Sequence, residues 1–229
     1  MREFQKQAIC KVCNKPFETD VAEFFNGKSL QANVCDVCFE RREARQPVDL
    51  KNEKRKQVWD RMVGPYYHTF DPERLPMVIR EHLDAIFLWH PDSPKGVGFL
   101  GKSRTGKSRV LFELGRRLYI RGQDVFPSSG IEFAEKVQGQ VNDKEEFEWY
   151  MQRVKNCKIL LLDDCDKLNF TPAVEASYYG MLEYRRRFQR PILASVNSNG
   201  KAMANAASGN RGEPIVNRLR DLCEIIELK

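Results

Sequence analysis

The sequence predicts an α/β fold: a core of alternating strands and helices around a parallel sheet, preceded by a small module held by four cysteines. Three observations predict it. An apolar run from Val97 to Leu100 leads into Gly101-Lys102-Ser103-Arg104-Thr105-Gly106-Lys107-Ser108 and then into an amphipathic stretch. This is the strand, loop and helix setting in which the G-x-x-x-x-G-K-[ST] pattern cradles phosphates. Farther along, Lys158-Ile159-Leu160-Leu161-Leu162-Asp163-Asp164 reads as a strand buried on both faces that delivers two acids at its carboxyl end, where α/β proteins build ligand sites. Near the start, Cys10-Lys11-Val12-Cys13 and Cys35-Asp36-Val37-Cys38 form two C-x-x-C pairs.

The bulk numbers permit this and exclude other classes. A chain of 229 residues can bury one good core plus a small appendage. With 41% hydrophobic and 31% charged residues, it has the composition of an ordinary soluble protein. No apolar run approaches the roughly 20 residues needed to cross a bilayer, and the opening residues lack a secretory apolar core; the expectation is a cytoplasmic protein with no membrane partner. A net charge of +6 is compatible with a polyanionic partner and equally with solvated Lys and Arg.

The first module, residues 1–40, holds four of the seven cysteines. Two C-x-x-C turns at this separation place four thiolates, Cys10, Cys13, Cys35 and Cys38, around one tetrahedral zinc. Four sulfur ligands leave no open position for water, so the metal is structural. Reading the pairs as two redox dithiols would leave their pairing unexplained. Phe17, Phe24, Phe25 and Leu30 are candidates for its small apolar cluster, while Lys11, Lys15 and Lys28 do not decide between a nucleic-acid clamp and a protein-docking knob. Cys157, Cys165 and Cys223 read as small buried hydrophobes or inert surface thiols.

Residues 41–57 form a basic linker, expected as two short helices with a break near Pro47, either solvated or in contact with nucleic acid. The core domain then runs over 58–229. Its aromatic entry, Trp59, Tyr66, Tyr67 and Phe70, suits packing against an adenine base or a simple core role. Ile79 to Trp89 has the apolar spacing of one amphipathic helix. In the phosphate loop, Gly101 supplies the tight turn, Gly106 the close approach, Lys107 a contact to the β- and γ-phosphates, and Ser108 a magnesium ligand. Asp163 would hold the magnesium hydration shell and Asp164 would orient the attacking water. Asp143 and Glu146 have capping-box spacing before a helix from Lys144. Ala173 to Arg187 reads as a helix whose last three arginines either complement its C-terminus or face a phosphate backbone. The strand Ile192 to Val196 runs into Asn197, placed to bond the hydrolytic water or γ-phosphate, or to serve as a turn residue. A loose segment, a helix to about Leu222 and a last strand, Cys223 to Leu228, complete the chain. His68, His82 and His90 show no metal spacing.

From Val58 to Leu228 the chain resembles the DnaC/DnaI/IstB-like branch of AAA+ ATPases. The residues that carry the resemblance are Gly64-Pro65-Tyr66-Tyr67-His68-Thr69-Phe70, Gly101 to Ser108, Leu162-Asp163-Asp164, Ser195-Val196-Asn197 and Ile215-Val216-Asn217-Arg218-Leu219. The resemblance implies a five-stranded parallel AAA+ sheet, ATP with magnesium as cofactors, Asn197 as sensor and Arg218 as the finger completing a neighbouring subunit's site, with Arg220 in reserve. The four-cysteine module looks like the helicase-docking zinc domain of DnaI-type loaders. The implied activity is ATP-dependent loading of a replicative DNA helicase onto single-stranded DNA through self-association of the ATPase domain, in a bacterial or phage-infected cell. An IstB-like transposition regulator and a zinc-containing DNA-binding adaptor with an ATP switch are the alternatives. Asp163-Asp164 stands where the branch often has Asp-Glu, and no helical lid follows Arg218; both imply hydrolysis that is weak alone and stimulated by partners.

Overall fold

In this computed structural model the described residues are 2–11, 13–23, 29–31, 35–140, 142–197, 200–207 and 211–228. The chain divides into two units, Met1–Lys54 and Arg55–Lys229. In the first, β1 (Arg2–Ile9) and β2 (Pro16–Glu23) pair antiparallel, from Arg2 opposite Glu23 to Ile9 opposite Pro16, and β3 (Ser29–Gln31) joins β2 on its far side. The first cysteine pair occupies the hairpin turn, where Asn14 takes a left-handed φ of 57°, a conformation Asn tolerates better than most residues. Phe24, Phe25 and Lys28, and the side chain of Leu30, lie outside the described residues.

Helix α1 (Asp36–Val63) begins at the second cysteine pair and contains residues of both units. It runs through Pro47, so the expected break there is not found. Pro47 removes one helical donor, but Glu, Arg, Lys, Gln and Ala surround it, and the summed preference of good helix formers carries the helix across.

The second unit continues with two short helices, α2 (Met77–Arg80) and α3 (Leu83–Phe87), where a single helix was expected. The ladder tightens between them, with His82 N–H donating to the Ile79 carbonyl at 3.1 Å; Ile79, Leu83 and Ile86 still share a buried face. Alternating strands and helices follow: β4 (Gly96–Gly101), α4 (Lys107–Ile120), β5 (Val125–Ser129), α5 (Gly130–Gly139), α6 (Lys144–Asn156), β6 (Ile159–Asp163), α7 (Pro172–Arg187), β7 (Ile192–Val196), α8 (Gly200–Ala206), α9 (Gly212–Leu222) and β8 (Cys223–Leu228). Side-chain caps start three of them. Asp143 accepts from Glu146 N–H at 2.8 Å, Ser129 from Glu132 N–H at 3.1 Å and Thr171 from Val174 N–H at 3.3 Å. The five strands are all parallel, in the order β5-β6-β7-β4-β8. That order puts β7, which leads into Asn197, between the phosphate-loop strand β4 and the acidic strand β6.

Strand pleating sorts the core into two layers. Leu160 and Leu162 of β6, with Ile192 and Ala194 of β7, face α5, α6, α7 and α9; Ile159, Leu161 and Leu193 face α4, α2 and α3. Trp59, fully buried, enters the second layer beside Tyr119 at 5.6 Å. Gly115 makes room for it, since a Cβ there would lie 2.8 Å from the indole.

Arg185, read with Arg186 and Arg187 as complementing the C-terminus of its own helix or facing a phosphate backbone, is 0% exposed. Its guanidinium donates to the carbonyls of Val154 at 2.8 Å, Cys157 at 3.1 Å, Lys158 at 3.3 Å and Pro191 at 2.7 Å. It therefore satisfies the last carbonyls of α6 and joins the amino ends of β6 and β7. Arg185→Met should lose about 3 kcal/mol or more of stability through those stranded carbonyls. Urea unfolding checks this, and an unchanged midpoint would mean the guanidinium is replaceable.

Candidate functional site

The site is built at the carboxyl ends of β4, β6 and β7. After β4 the chain turns through Lys102 to Gly106 into α4. Gly106 adopts φ 85° as the residue before α4, which starts without a side-chain cap, leaving the positive helix end open toward the loop. A Cβ at Gly106 would also meet Leu75 at 3.0 Å. Ser103, Arg104, Thr105, Gly106, Lys107 and Ser108 line a cleft of about 490 Å³, together with Asp164 and Asn197. Gly101 and Lys102 are not among the described lining residues; their carbonyls accept from Lys107 instead. Lys107, only 4% exposed, points its ammonium at them, 2.8 Å from Gly101 O and 2.6 Å from Lys102 O. Burial lowers the pKa of Lys107, opposed by the charges of Asp164, Asp166 and Asp163. The ammonium thus stands over the loop, held by neutral carbonyls that an anion can outbid.

Asp163 ties the three elements together. Its Oδ1 accepts from Ser108 Oγ on α4 at 2.8 Å and from Ser195 Oγ on β7. Ser195 Oγ in turn accepts from Asp164 N–H at 2.8 Å. The strand ends in a sharp turn, with Asp164 at φ 47°. That turn aims its carboxylate at Asn197, whose Nδ2 donates to Asp164 Oδ1 at 2.6 Å. Lys107, Ser108, Asp164 and Asn197 therefore line one cleft, and Asp163 is joined to it through Ser108.

Of the aromatic entry, Tyr66 and Tyr67 line the cleft, whereas Arg74, Leu75, Pro76, Arg109 and Lys167 were not visible to sequence reasoning. Tyr67 stacks on Phe112 with ring centroids 3.9 Å apart, and burial, helped by the charge of Asp163, pushes its phenol up to about 12. Arg109 lies 4.6 Å over the ring of Tyr66. Arg74, Leu75, Pro76 and Lys167 complete the wall. Five cations, Arg74, Arg104, Lys107, Arg109 and Lys167, face one carboxylate, Asp164, among the described lining residues, a balance suited to a polyanionic ligand. Ser195 belongs to a motif that carries the resemblance but had no role there; only the strand order reveals one.

Arg218 does not reach this cleft. On α9 it pairs with Glu183 of α7 and lies 3.6 Å from Asp221, within a cluster that Arg186 joins. Hydrogen bonding to Arg218 lowers the pKa of Glu183, and the same contact raises that of Arg218. Arg220 lies elsewhere, beside an apolar pocket formed with Leu100, Met203 and Ile225.

In the first unit the thiols of Cys10, Cys13, Cys35 and Cys38 all lie within 4.8 Å of one another, a set that can hold one metal ion. Tetrahedral zinc with bonds of about 2.3 Å has sulfur edges of about 3.8 Å, and Cys13 Sγ lies 3.8 Å from Cys35 Sγ. The backbone is arranged around the sulfurs, with Cys35 N–H directed at Cys10 Sγ at 3.4 Å. The thiol of Cys38 is pushed up to about 12, first by its hydrogen bond with Cys35. No described helix is long and apolar enough to cross a membrane.

Sheet order, phosphate loop and acidic strand end are together those of a P-loop core with the AAA+ fold. Compared by sequence, the chain matches no family model and no curated protein. Compared by structure, it is similar to DnaA from Aquifex aeolicus bound to AMPPCP and to a replication initiator DnaA bound to AMPPCP and single-stranded DNA. Each gives a TM-score of 0.58 at 17% identity, over 73% of this chain and 51% of that one. It is also similar to DnaI, at TM-score 0.57 and 18% identity over 73% of this chain and 96% of that one. For the DnaC helicase loader the values are 0.54 and 16%, over 66% and 88%. The chain spans about half the length of the DnaA chains it matches.

Asp163 generates a test of this geometry. Burial raises its pKa against the hydrogen bonds of Ser195 and Ser108, with Asp164 adding to the rise. The unfolded chain thus releases this proton first, and the folded state loses ground as pH rises through the raised value. Asp163→Asn should therefore be more heat-stable than the unsubstituted protein at pH 7 without nucleotide. The gain should vanish as pH falls below the ordinary aspartate range; thermal melts across pH would show it, and a gain independent of pH would contradict it.

Proposed function

We propose that this chain is an ATP-dependent loader of a replicative DNA helicase onto single-stranded DNA, with ATP binding and hydrolysis controlling assembly and release. The observation that carries the reading is the presence in one chain of a complete phosphate-loop cleft and a four-thiol cluster. The fold shared with DnaI and with a protein described as a helicase loader supports it, as does the DnaA fold seen with AMPPCP and single-stranded DNA.

In this reading the triphosphate takes over Lys107 from the carbonyls of Gly101 and Lys102. The hydroxyl of Ser108 and the carboxylate of Asp163 would hold magnesium, which supplies charge neutralisation at the phosphates. Asp164, held by Asn197, orients and polarises the attacking water. The cysteines would hold a structural zinc, and the folded module would dock the helicase. Arg218 acts in trans: it stands away from its own cleft, and self-association exchanges Glu183 and Asp221 for a neighbour's nucleotide. Hydrolysis is then weak in the isolated chain, because this charge arrives only in the assembly.

Three outcomes are expected. A nucleotide-dependent pull-down should recover the cognate replicative helicase with the full chain, and Lys107→Ala should abolish nucleotide binding in a direct assay. Absence of a complex under both ATP and ADP would defeat the loader reading, and unchanged nucleotide affinity would defeat the phosphate-loop assignment. Arg218→Ala should leave nucleotide affinity intact while losing assembly-stimulated hydrolysis; a wild-type rate in the assembled state would remove its role in trans.

A further inference from the structure

The amino ends of the strands, opposite the phosphate loop, carry a second groove of about 450 Å³. Its walls come from the segments leading into three parallel strands: residues 91–94 before β4, Lys158 before β6 and residues 188–191 before β7. Phe188, the residue closing α7, is 51% exposed. It leans on Tyr184, with ring centroids 4.6 Å apart at 43°, and this contact leaves an aromatic surface in solvent.

The charges around that ring are unequal. Arg187 lies 5.7 Å from the Phe188 centroid, and Arg190 forms part of the groove wall. Among the described residues no carboxylate stands within ion-pair distance of Arg187 or Arg190, whereas Arg186, between Arg185 and Arg187, is held by Glu183 and Asp221. The acid in the groove, Asp92, is occupied by Lys158 at 2.8 Å, an interaction that also lowers its pKa. The groove therefore presents an aromatic face flanked by two guanidinium groups without acidic partners.

We propose that this groove binds single-stranded nucleic acid, with a base stacked on Phe188 and the flanking phosphates on Arg187 and Arg190. The proposal rests on the reading of the chain as a protein that handles single-stranded DNA, and it names where the strand lies. An exposed aromatic platform beside tracking cations is the chemistry of single-strand binding, because every base offers a π-face and every linkage a charge. A duplex keeps its bases stacked away from such a ring. An acidic peptide would use the arginines and leave the ring idle.

The test is fluorescence anisotropy of a labelled oligo(dT) with the full chain, alongside affinity for a fluorescent ATP analogue. Phe188→Ala should weaken oligonucleotide binding by roughly tenfold, and Phe188→Trp should restore it. Replacing Arg187 and Arg190 together by Ala should flatten the salt dependence, by about 0.7 in the log–log slope for each phosphate no longer neutralised. ATP-analogue affinity should hold in every variant, since none of these residues lines the nucleotide cleft. If all variants bound the oligonucleotide as the unsubstituted protein does, the groove would be excluded while a DNA partner survived. If Phe188→Ala were without effect and polyglutamate displaced the oligonucleotide equally well, an acidic chain would be the ligand instead. Failure of the unsubstituted protein to bind oligo(dT) with or without ATP would remove the groove and the DNA partner together.

Discussion

A single buried carboxylate organises the phosphate-loop side of this molecule. Asp163, 8% exposed, receives hydroxyl donors from a helix on one side and a strand on the other. Burying a carboxylate without such donors would be too costly to keep it charged; with them, it fixes the start of α4 against the ends of β6 and β7. The phosphate loop lies between β4 and α4, so its shape depends on that anchorage. Burial raises the pKa of Asp163 and the two hydroxyl donors oppose that rise.

Strand order gives the second constraint. Because β7 is inserted between β4 and β6, Ser195 and Asn197 sit between the loop and the acids, near both. Along β7, Ser195 serves Asp163 and Asn197 serves Asp164, two residues apart as the pleat requires for side chains of one face. Exchanging the order of β4 and β7 would leave the same motifs in the sequence and separate Asn197 from Asp164.

Legibility in the sequence followed the range of the interactions. The loop from Gly101 to Ser108 and the run from Ile159 to Asp164 are readable because their demands fall on consecutive residues: turn, positive φ, ammonium, pleated burial, acids at the end. The cysteine spacing is readable for the same reason. Tyr67 on Phe112, Arg109 over Tyr66 and Ser195 bridging two aspartates depend on which elements become neighbours, and no local pattern states that. Arg185 is a different case, since a signal existed. Tyr178, Met181, Leu182 and Arg185 follow the i, i+3, i+4, i+7 spacing of one helix face, and all are buried. Three adjacent arginines look alike as a tract, but helical periodicity turns one inward and leaves its neighbours to solvent. Pro47 misled in the opposite direction, as a single breaker weighed against many helix formers.

The inward arginine also bears on how the two edges of the sheet relate. Its guanidinium holds the carbonyls of Lys158 and Pro191, just before β6 and β7 begin, while Ser195 and Asp163 hold the same pair of strands near their other ends. Strands of five residues fixed at both ends resist sliding past each other. A change in what Asp164 and Asn197 touch is therefore taken up in the turns after the strands and in the helices, which have freedom that the strands lack. Helix α7 is the element placed to carry such a change: it follows the acid-bearing turn, presents Glu183 to Arg218, and ends at Phe188 beside the second groove. An arginine that fastens the end of this helix into the sheet also decides how firmly its surface residues follow what happens at the phosphate-loop cleft.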